Sequence, residues 1–488
     1  MTTPDQSSIR LAPPLSARLA YSVGTVGFGF FDAATRSFLL LYYSQVLGLS
    51  AALAGLAIGI SLLFDAVSDP VVGAISDRTR SRLGRRHPFM FAAIIPAAIL
   101  FICLWNPPNV SDQRFLFAYL LGCAALSRMC LSLFEIPAAA ILPEIITDYQ
   151  DRTKLMGWRY AAQFLGGMIA TLGGFSIFFK ANETYANGVL NPDSYLPFSL
   201  FGAAVIALFL SLCAFGTWPL MKRARPAAEP EAARPSIGAA FNAIAQSFSN
   251  KSFRMLIIFS LLTSLAFGMG TALAVYVNTF YWGLASEQLR LFSLFSPVSI
   301  LLGLAITHVV GRASDKHVAA IGASFAAIAL ITLPFVLRHF GLLPENGDPQ
   351  LIPFLLVVNT LDLAMIISAT ILTSSMVADI VEDAELETGR RDEGVFFAVR
   401  NFAKNAVGGA GVALAGLILS LTEFPPKAKV GEVPQATVDQ LVWTYLPVFV
   451  LLLVIGVLAL SRYRIGRARH ASNLERLAAL RSPRLQVD

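Results

Sequence analysis

The chain has 488 residues, of which 56% are hydrophobic and only 14% charged, and its mean hydropathy is +0.64. Soluble domains carry about 25% charged residues, so this composition excludes a soluble globular protein. The formal charge of +6 follows from where Lys and Arg fall along a membrane chain and does not require nucleic-acid binding.

Twelve apolar runs are long enough to cross about 30 Å of hydrocarbon. They cover residues 20–48, 51–76, 88–106, 114–142, 157–180, 196–221, 254–282, 289–310, 317–339, 352–379, 395–421 and 441–463. They predict an all-α polytopic membrane protein with twelve transmembrane helices. Residues 1–19 are polar or broken by proline, and the first run is too long for the apolar part of a cleavable leader, so no signal peptide is expected.

The end of the second run reads Leu63-Phe64-Asp65-Ala66-Val67-Ser68-Asp69-Pro70. Residues four apart share a helix face, so Asp65 and Asp69 lie together. A charge near mid-bilayer costs at least about 2.5–3.5 kcal/mol, and a pair of such carboxylates reads as an ion or proton site. The plainer alternative has Asp69 capping a chain break before Pro70 while Asp65 salt-bridges a neighbouring helix. Cys103, Cys123, Cys130 and Cys213 lie in apolar runs without metal-ligand spacing and read as buried free thiols.

The two halves echo each other. After the second helix the chain reads Gly73-Ala-Ile-Ser76-Asp77-Arg78, and after the eighth Gly311-Arg-Ala-Ser314-Asp315-Lys316. Pro143-Glu144-Ile-Ile-Thr-Asp148 follows the fourth run, and Ala378-Asp379-Ile-Val-Glu-Asp383 the tenth. The fifth run carries Arg159-x3-Gln163 before Gly166-Gly167, and the eleventh Arg400-x3-Lys404 before Gly408-Gly409. Three echoes in one order predict two pseudo-symmetric six-helix bundles. The expected domains are residues 1–221, a cytoplasmic linker 222–252, residues 253–463 and a cytoplasmic tail 464–488. Within the linker, Ile237, Phe241, Ile244 and Phe248 have helical spacing and predict a short interfacial helix. The basic, Ala/Leu-rich tail predicts a surface helix.

Most of the 37 Lys and Arg residues fall in the termini and the even-numbered connections. The opposite loops carry only Arg114, Lys180, Arg290, Arg338, Lys427 and Lys429. Both termini are therefore expected in the cytoplasm, in a bacterial inner membrane. Polar positions inside runs are Gln163, Asn278, Asn359, Asp362, Thr370 and Thr373, with Arg128 and Tyr160 as weaker candidates. Single hydroxyls and amides in spans more often bond neighbouring backbone or helices than substrate.

Residues 73–86, GAISDRTRSRLGRR, resemble the G-x-x-x-D-R-x-G-R-R type signature of the major facilitator superfamily, with extra residues between Arg78 and Gly84. Four further elements narrow the likeness. They are Tyr42-Tyr43-x-x-Val46-x-Gly48-Leu49-Ser50, Asp65-Ala66-x-x-Asp69-Pro70-x-x-Gly73, Glu135-Ile136-Pro137 and Met376-Val-Ala-Asp379-Ile-Val. With them the chain resembles the glycoside–pentoside–hexuronide:cation symporters, whose best-known member is the melibiose permease.

The resemblance implies the major facilitator fold and cation-coupled symport of a glycoside or related carbohydrate by alternating access. It implies a cation site at Asp65, Asp69 and Glu135, which would be a metal site if the coupling ion is Na⁺ and a proton site if it is H⁺. No other cofactor is expected. The family's sugar-binding Asp falls on Gly29, and its sugar-contacting Tyr and Trp on Leu131 and Ala139, so that pocket is not reproduced. Asp32 and Arg36 are either a self-neutralising pair or replacements that bind hydroxyls or an acidic group. With Arg159, Gln163, Arg400 and Lys404 they form the expected substrate cluster, although the family's helix 11 Lys aligns one residue on, at Asn405. Asp77, Arg78, Arg85 and Arg86 are expected to gate against Asp379, Glu382 and Asp383.

Expected partners are a small-molecule substrate, a carbohydrate in the first reading, and membrane lipid; a monomer is expected. No hydrolytic or nucleotide-binding motif stands out, which argues against an enzyme or an ATP-driven pump. The rival readings are a lysophospholipid transporter of the same fold and a non-transporting membrane sensor.

Overall fold

The computed structural model describes residues 14–79, 81–146, 149–185, 187–223, 248, 250–388 and 393–481. Among them are thirteen α-helices: α1 (Leu15–Leu41), α2 (Ala51–Arg78), α3 (His87–Trp105), α4 (Gln113–Ile145), α5 (Tyr149–Gly173), α6 (Tyr195–Arg223), α7 (Lys251–Tyr276), α8 (Ser286–Ala313), α9 (Lys316–His339), α10 (Leu351–Thr388), α11 (Glu393–Leu421), α12 (Gln435–Leu460) and α13 (Arg467–Arg481). Eleven of the described helices are long and apolar enough to cross a membrane, where the sequence had suggested twelve. The difference is α1. At 27 residues it is long enough, but Asp32, Arg36 and its glycines dilute its apolar content, and Tyr21, Phe30, Phe31 and Phe38 are buried in protein. The helix predicted within the linker lies outside the described residues over Ile237, Phe241 and Ile244. The four cysteines are free thiols.

Several features repeat between the halves. α1 runs into a π-helical turn at Tyr42–Val46 and α7 into one at Val277–Tyr281. Each turn is followed by a glycine with positive φ, Gly48 at 82° and Gly283 at 63°, a conformation that other residues adopt only with strain. Backbone crossings repeat as well. A Cβ on Gly29 of α1 would overlap the Gln163 carbonyl of α5, and one on Gly166 would overlap the Val26 carbonyl. In the second half a Cβ on Gly268 of α7 would overlap the Gly408 carbonyl of α11, and one on Gly411 the Leu265 carbonyl. Small residues let helix backbones touch where no hydrophobic effect drives association.

By contacts the chain forms two compact units, and they do not part at the linker alone. Unit 1 comprises Met1–Thr35, Phe64–Gly174 and Pro192–Ala232; unit 2 comprises Arg36–Leu63, Phe175–Asn191 and Ala233–Asp488. Within unit 2, the start of α2 is joined to α11 by another glycine seam. A Cβ on Gly55 would lie 2.8 Å from the Val412 carbonyl oxygen, and one on Gly409 2.8 Å from that of Gly59. Elsewhere in unit 2, polar bonds join Ser44 with the Tyr276 hydroxyl, the Ala428 N–H to Gln45 Oε1 (3.0 Å), and Asn187 Nδ2 to Thr279 Oγ1 (3.0 Å) and the Leu284 carbonyl (3.1 Å). These bonds explain why residues 36–63 and 175–191 cluster with the second half of the chain.

α13 is the surface helix expected of the tail. Arg467 donates to the last carbonyls of α8, those of Gly311, Arg312 and Ser314, at 3.1–3.2 Å, so a cation satisfies groups a helix end leaves open.

Candidate ion and substrate site

In unit 1 the site is built on one face of α4. Arg128, Ser132 and Glu135 recur at i, i+4 and i+7 and so point the same way. Ser132 Oγ donates to Asp65 Oδ1 of α2 at 2.8 Å, while Arg128 Nη1 lies 3.8 Å from Asp65 Oδ2. The Arg128 guanidinium also sits 5.6 Å from the Phe31 ring centroid, a favourable cation–π placement. Glu135 is ion-paired to Arg159 of α5, whose guanidinium lies 4.7 Å from the Tyr21 ring centroid. The Arg159 carbonyl accepts from Thr25 Oγ1 at 2.8 Å. Both arginines are buried, 6% and 5% exposed. Asp69 differs: its Oδ1 is buried without a hydrogen-bond partner among the described residues.

Asp65, Asp69 and Glu135 are not gathered as a set of metal ligands; among the described residues no three His, Cys, Asp or Glu side chains are placed to hold a metal ion. The physical reason is that guanidinium groups face two of the three carboxylates. Sequence reading undervalued Arg128, although a charge inside an apolar run is itself a sign that it needs a partner.

Unit 2 holds the repeat counterpart of Arg159. Arg400 of α11, 9% exposed, donates through Nε to Ser260 Oγ (3.3 Å), through Nη1 to Ser374 Oγ (3.1 Å) and through Nη2 to Thr373 Oγ1 (3.5 Å). Among the described residues no carboxylate pairs with it. Lys404, one turn on, is exposed and lies within electrostatic reach of Arg400 and Arg36. Asp362 of α10 is buried, with Oδ1 lacking a hydrogen-bond partner among the described residues.

The other expected substrate residues are placed as follows. Asp32 and Gln163 are half-buried in unit 1, and Arg36 is half-buried in unit 2. The backbone of Gln163 is what excludes any side chain at Gly29, which explains why an Asp there is structurally inadmissible in this chain. Leu131 is 3% exposed and Ala139 is exposed; neither offers a polar group.

The expected gate charges are engaged inside their own units. In unit 1 Arg86 is ion-paired to Asp77 and donates to Ser76 Oγ at 3.1 Å; Arg78 is exposed and Arg85 half-buried. In unit 2 Lys316 Nζ donates to both oxygens of Asp379 at 2.7 and 3.0 Å. His470 Nδ1 lies 3.0 Å from Glu382 Oε2. Asp383 accepts a bidentate pair from Arg469 (3.0 and 3.1 Å) together with Nδ2 of Asn473 (2.9 Å) and of Asn250 (3.2 Å). That α13 supplies most of these partners was not legible in the sequence.

Comparison with known proteins gives concordant results. The model of the MFS/sugar transport protein family matches residues 20–467. An uncharacterized symporter of Synechocystis sp. is 27% identical, over 95% of this chain and 96% of its own. The putative glycoside/cation symporter YagG of Escherichia coli is 25% identical, over 93% and 92%. Among solved structures the nucleoside transporter NupG superposes with a TM-score of 0.61 at 14% identity, covering 92% of this chain and 99% of that one; this likeness shows the fold.

Proposed function

The chain belongs to the MFS/sugar transport protein family, whose members are multi-pass membrane transporters and not enzymes, and from that premise we propose that it couples the inward movement of a cation, Na⁺ or H⁺, to uptake of a glycoside or related carbohydrate. Transport proceeds by alternating access of two six-helix bundles, and both termini face the cytoplasm, as the distribution of Lys and Arg favours.

The observation that carries the reading is the trio of carboxylates Asp65, Asp69 and Glu135 on α2 and α4, which outnumbers the two guanidinium groups facing it. One buried carboxylate oxygen, on Asp69, is left without a partner among the described residues. That excess of one negative charge suits the reversible binding of one monovalent cation.

Arg400 and Lys404, with Arg36 in electrostatic reach, are the groups offered to cargo hydroxyls or to an acidic function on the sugar. Asp32 and Gln163 are the polar groups that unit 1 offers to cargo, while Arg159 is held by Glu135 and acts on substrate only indirectly. The pairs Asp77–Arg86 and Asp383–Arg469 stiffen the cytoplasmic ends that must move as bodies.

The test is uptake into proteoliposomes under imposed Na⁺ and pH gradients, with a panel of glycosides and lysolipids ranked beforehand by thermal stabilisation. Asp65→Asn and Asp69→Asn should lose uphill uptake while keeping downhill exchange. Stabilisation by lysolipids alone, growing with chain length by about 0.8 kcal/mol per buried CH₂, would show that the carbohydrate reading is wrong.

A further inference from the structure

We infer that Arg128 is a built-in counter-cation that takes the place an alkali ion would need at Asp65, so that Na⁺ is neither bound nor used by this transporter. The inference rests on the cation-coupled reading above and narrows it.

An alkali cation is a hard ion, held by several oxygen atoms converging on one point. Here two of the three carboxylates are already engaged by positive or hydrogen-bearing groups, which leaves Asp69 Oδ1 as a lone open oxygen where an alkali ion needs several. Asp65 Oδ1 accepts from Ser132 and Oδ2 faces the guanidinium of Arg128 at 3.8 Å. Glu135, the third acid, carries the guanidinium of Arg159. No three ligand side chains among the described residues are arranged for a metal ion. Arg128 is not a stray surface charge that could swing away: it is 6% exposed, its position on α4 points it at α2, and the Phe31 ring lies 5.6 Å beneath it. A guanidinium stays charged under all physiological conditions. It therefore repels a second cation from Asp65 permanently, where a His could lose its charge. Of the two proposed coupling ions, Na⁺ is the one that this geometry removes.

Equilibrium binding of ²²Na⁺ to the purified full-length protein in detergent tests this without knowledge of the cargo. The wild type is expected to bind no ²²Na⁺ saturably, and its melting temperature should respond equally to NaCl and choline chloride. Arg128→Gln should create a saturable Na⁺ site, with affinity raised on the order of tenfold or more over wild type as the repelling charge is removed. Arg128→Lys, which keeps the charge, should stay insensitive, and Asp65→Asn added to Arg128→Gln should abolish the new site. Saturable Na⁺ binding by the wild type overturns the inference. So does an Arg128→Gln protein that is monodisperse and folded yet gains no Na⁺ response. If that variant does not fold, Arg128→Met is measured in its place by the same criterion. Failure of the symport reading looks different: uptake would then answer to neither ion gradient, whatever the binding data say.

Discussion

Arg159 and Arg400 occupy matching places in the two repeats, one on α5 and one on α11, and both are buried within their units. Their surroundings are unlike. Arg159 meets the carboxylate of Glu135, whereas Arg400 meets three hydroxyls, on Ser260, Thr373 and Ser374. In the register of the α4/α10 echo, Thr370 stands where Glu135 does. One repeat has kept a neutralised pair, and the other presents a cation whose charge is not cancelled locally. The scaffold position is common to both repeats, and the facing residue, Glu135 in one and Thr370 in the other, sets what that position meets. The first arrangement fixes structure around the carboxylates of α2 and α4; the second leaves a guanidinium bonded to hydroxyls alone.

The difference should appear first in stability. Glu135→Gln strands the buried Arg159 charge, and breaking a buried pair in this way costs about 3–5 kcal/mol. The expected outcome is a large fall in the midpoint of thermal unfolding in detergent. An unchanged midpoint would mean that Arg159 is not held by Glu135.

The double variant Glu135→Gln/Arg159→Gln sharpens the same point. With both charges gone, it should recover stability relative to Glu135→Gln alone, giving an interaction energy within about 0.5–3 kcal/mol by double-mutant cycle. Simple additivity would deny the coupling.

The glycine crossings test what the repeats share. Gly29→Ala and Gly411→Ala each place a Cβ against backbone carbonyl, and overpacking of this kind costs about 1–3 kcal/mol. The two should lose similar stability, because here the halves are alike. A large effect at one crossing only would break the symmetry.

The smallest stability effect belongs to Arg400→Gln, at about 1 kcal/mol. Two of the hydroxyls it leaves are not orphaned, since Thr373 Oγ1 already donates to the Ala369 carbonyl at 2.8 Å and Ser374 Oγ to that of Thr370 at 2.7 Å. Substrate affinity should nevertheless fall more than about tenfold, as for a site whose polar recognition group is removed. Equal loss of stability in Arg400→Gln and Glu135→Gln would erase the distinction between the repeats.

Much of this architecture is legible in the sequence because it is written in properties that act along one helix. Length and hydropathy mark the spans, and recurring Gly and Arg positions mark the repeats. α1 was legible as the run 20–48, yet it falls short of the apolar measure because Asp32, Arg36 and its glycines dilute it. The carboxylates Asp65, Asp69 and Glu135 were visible as charges out of place. Their partners were not, since which guanidinium reaches Asp65 depends on the rotation of α4 against α2 and on the Arg128 side chain, neither of which spacing alone fixes. The same holds for Asp379, Glu382 and Asp383. Their run of charge suggested a gate, while the helix that engages them lies some 90 residues further along the chain, Asn473 being 90 from Asp383.

That separation has a consequence for biosynthesis. Asp383 and the end of α8 wait for Arg467, Arg469 and Asn473, which are synthesised after both. Until α13 has emerged, unit 2 carries an acidic helix end and carbonyls without these partners. The order of synthesis thus makes α13 a late stitch, and a stop codon before residue 466 would leave a nascent chain without it, open to recognition as unfinished.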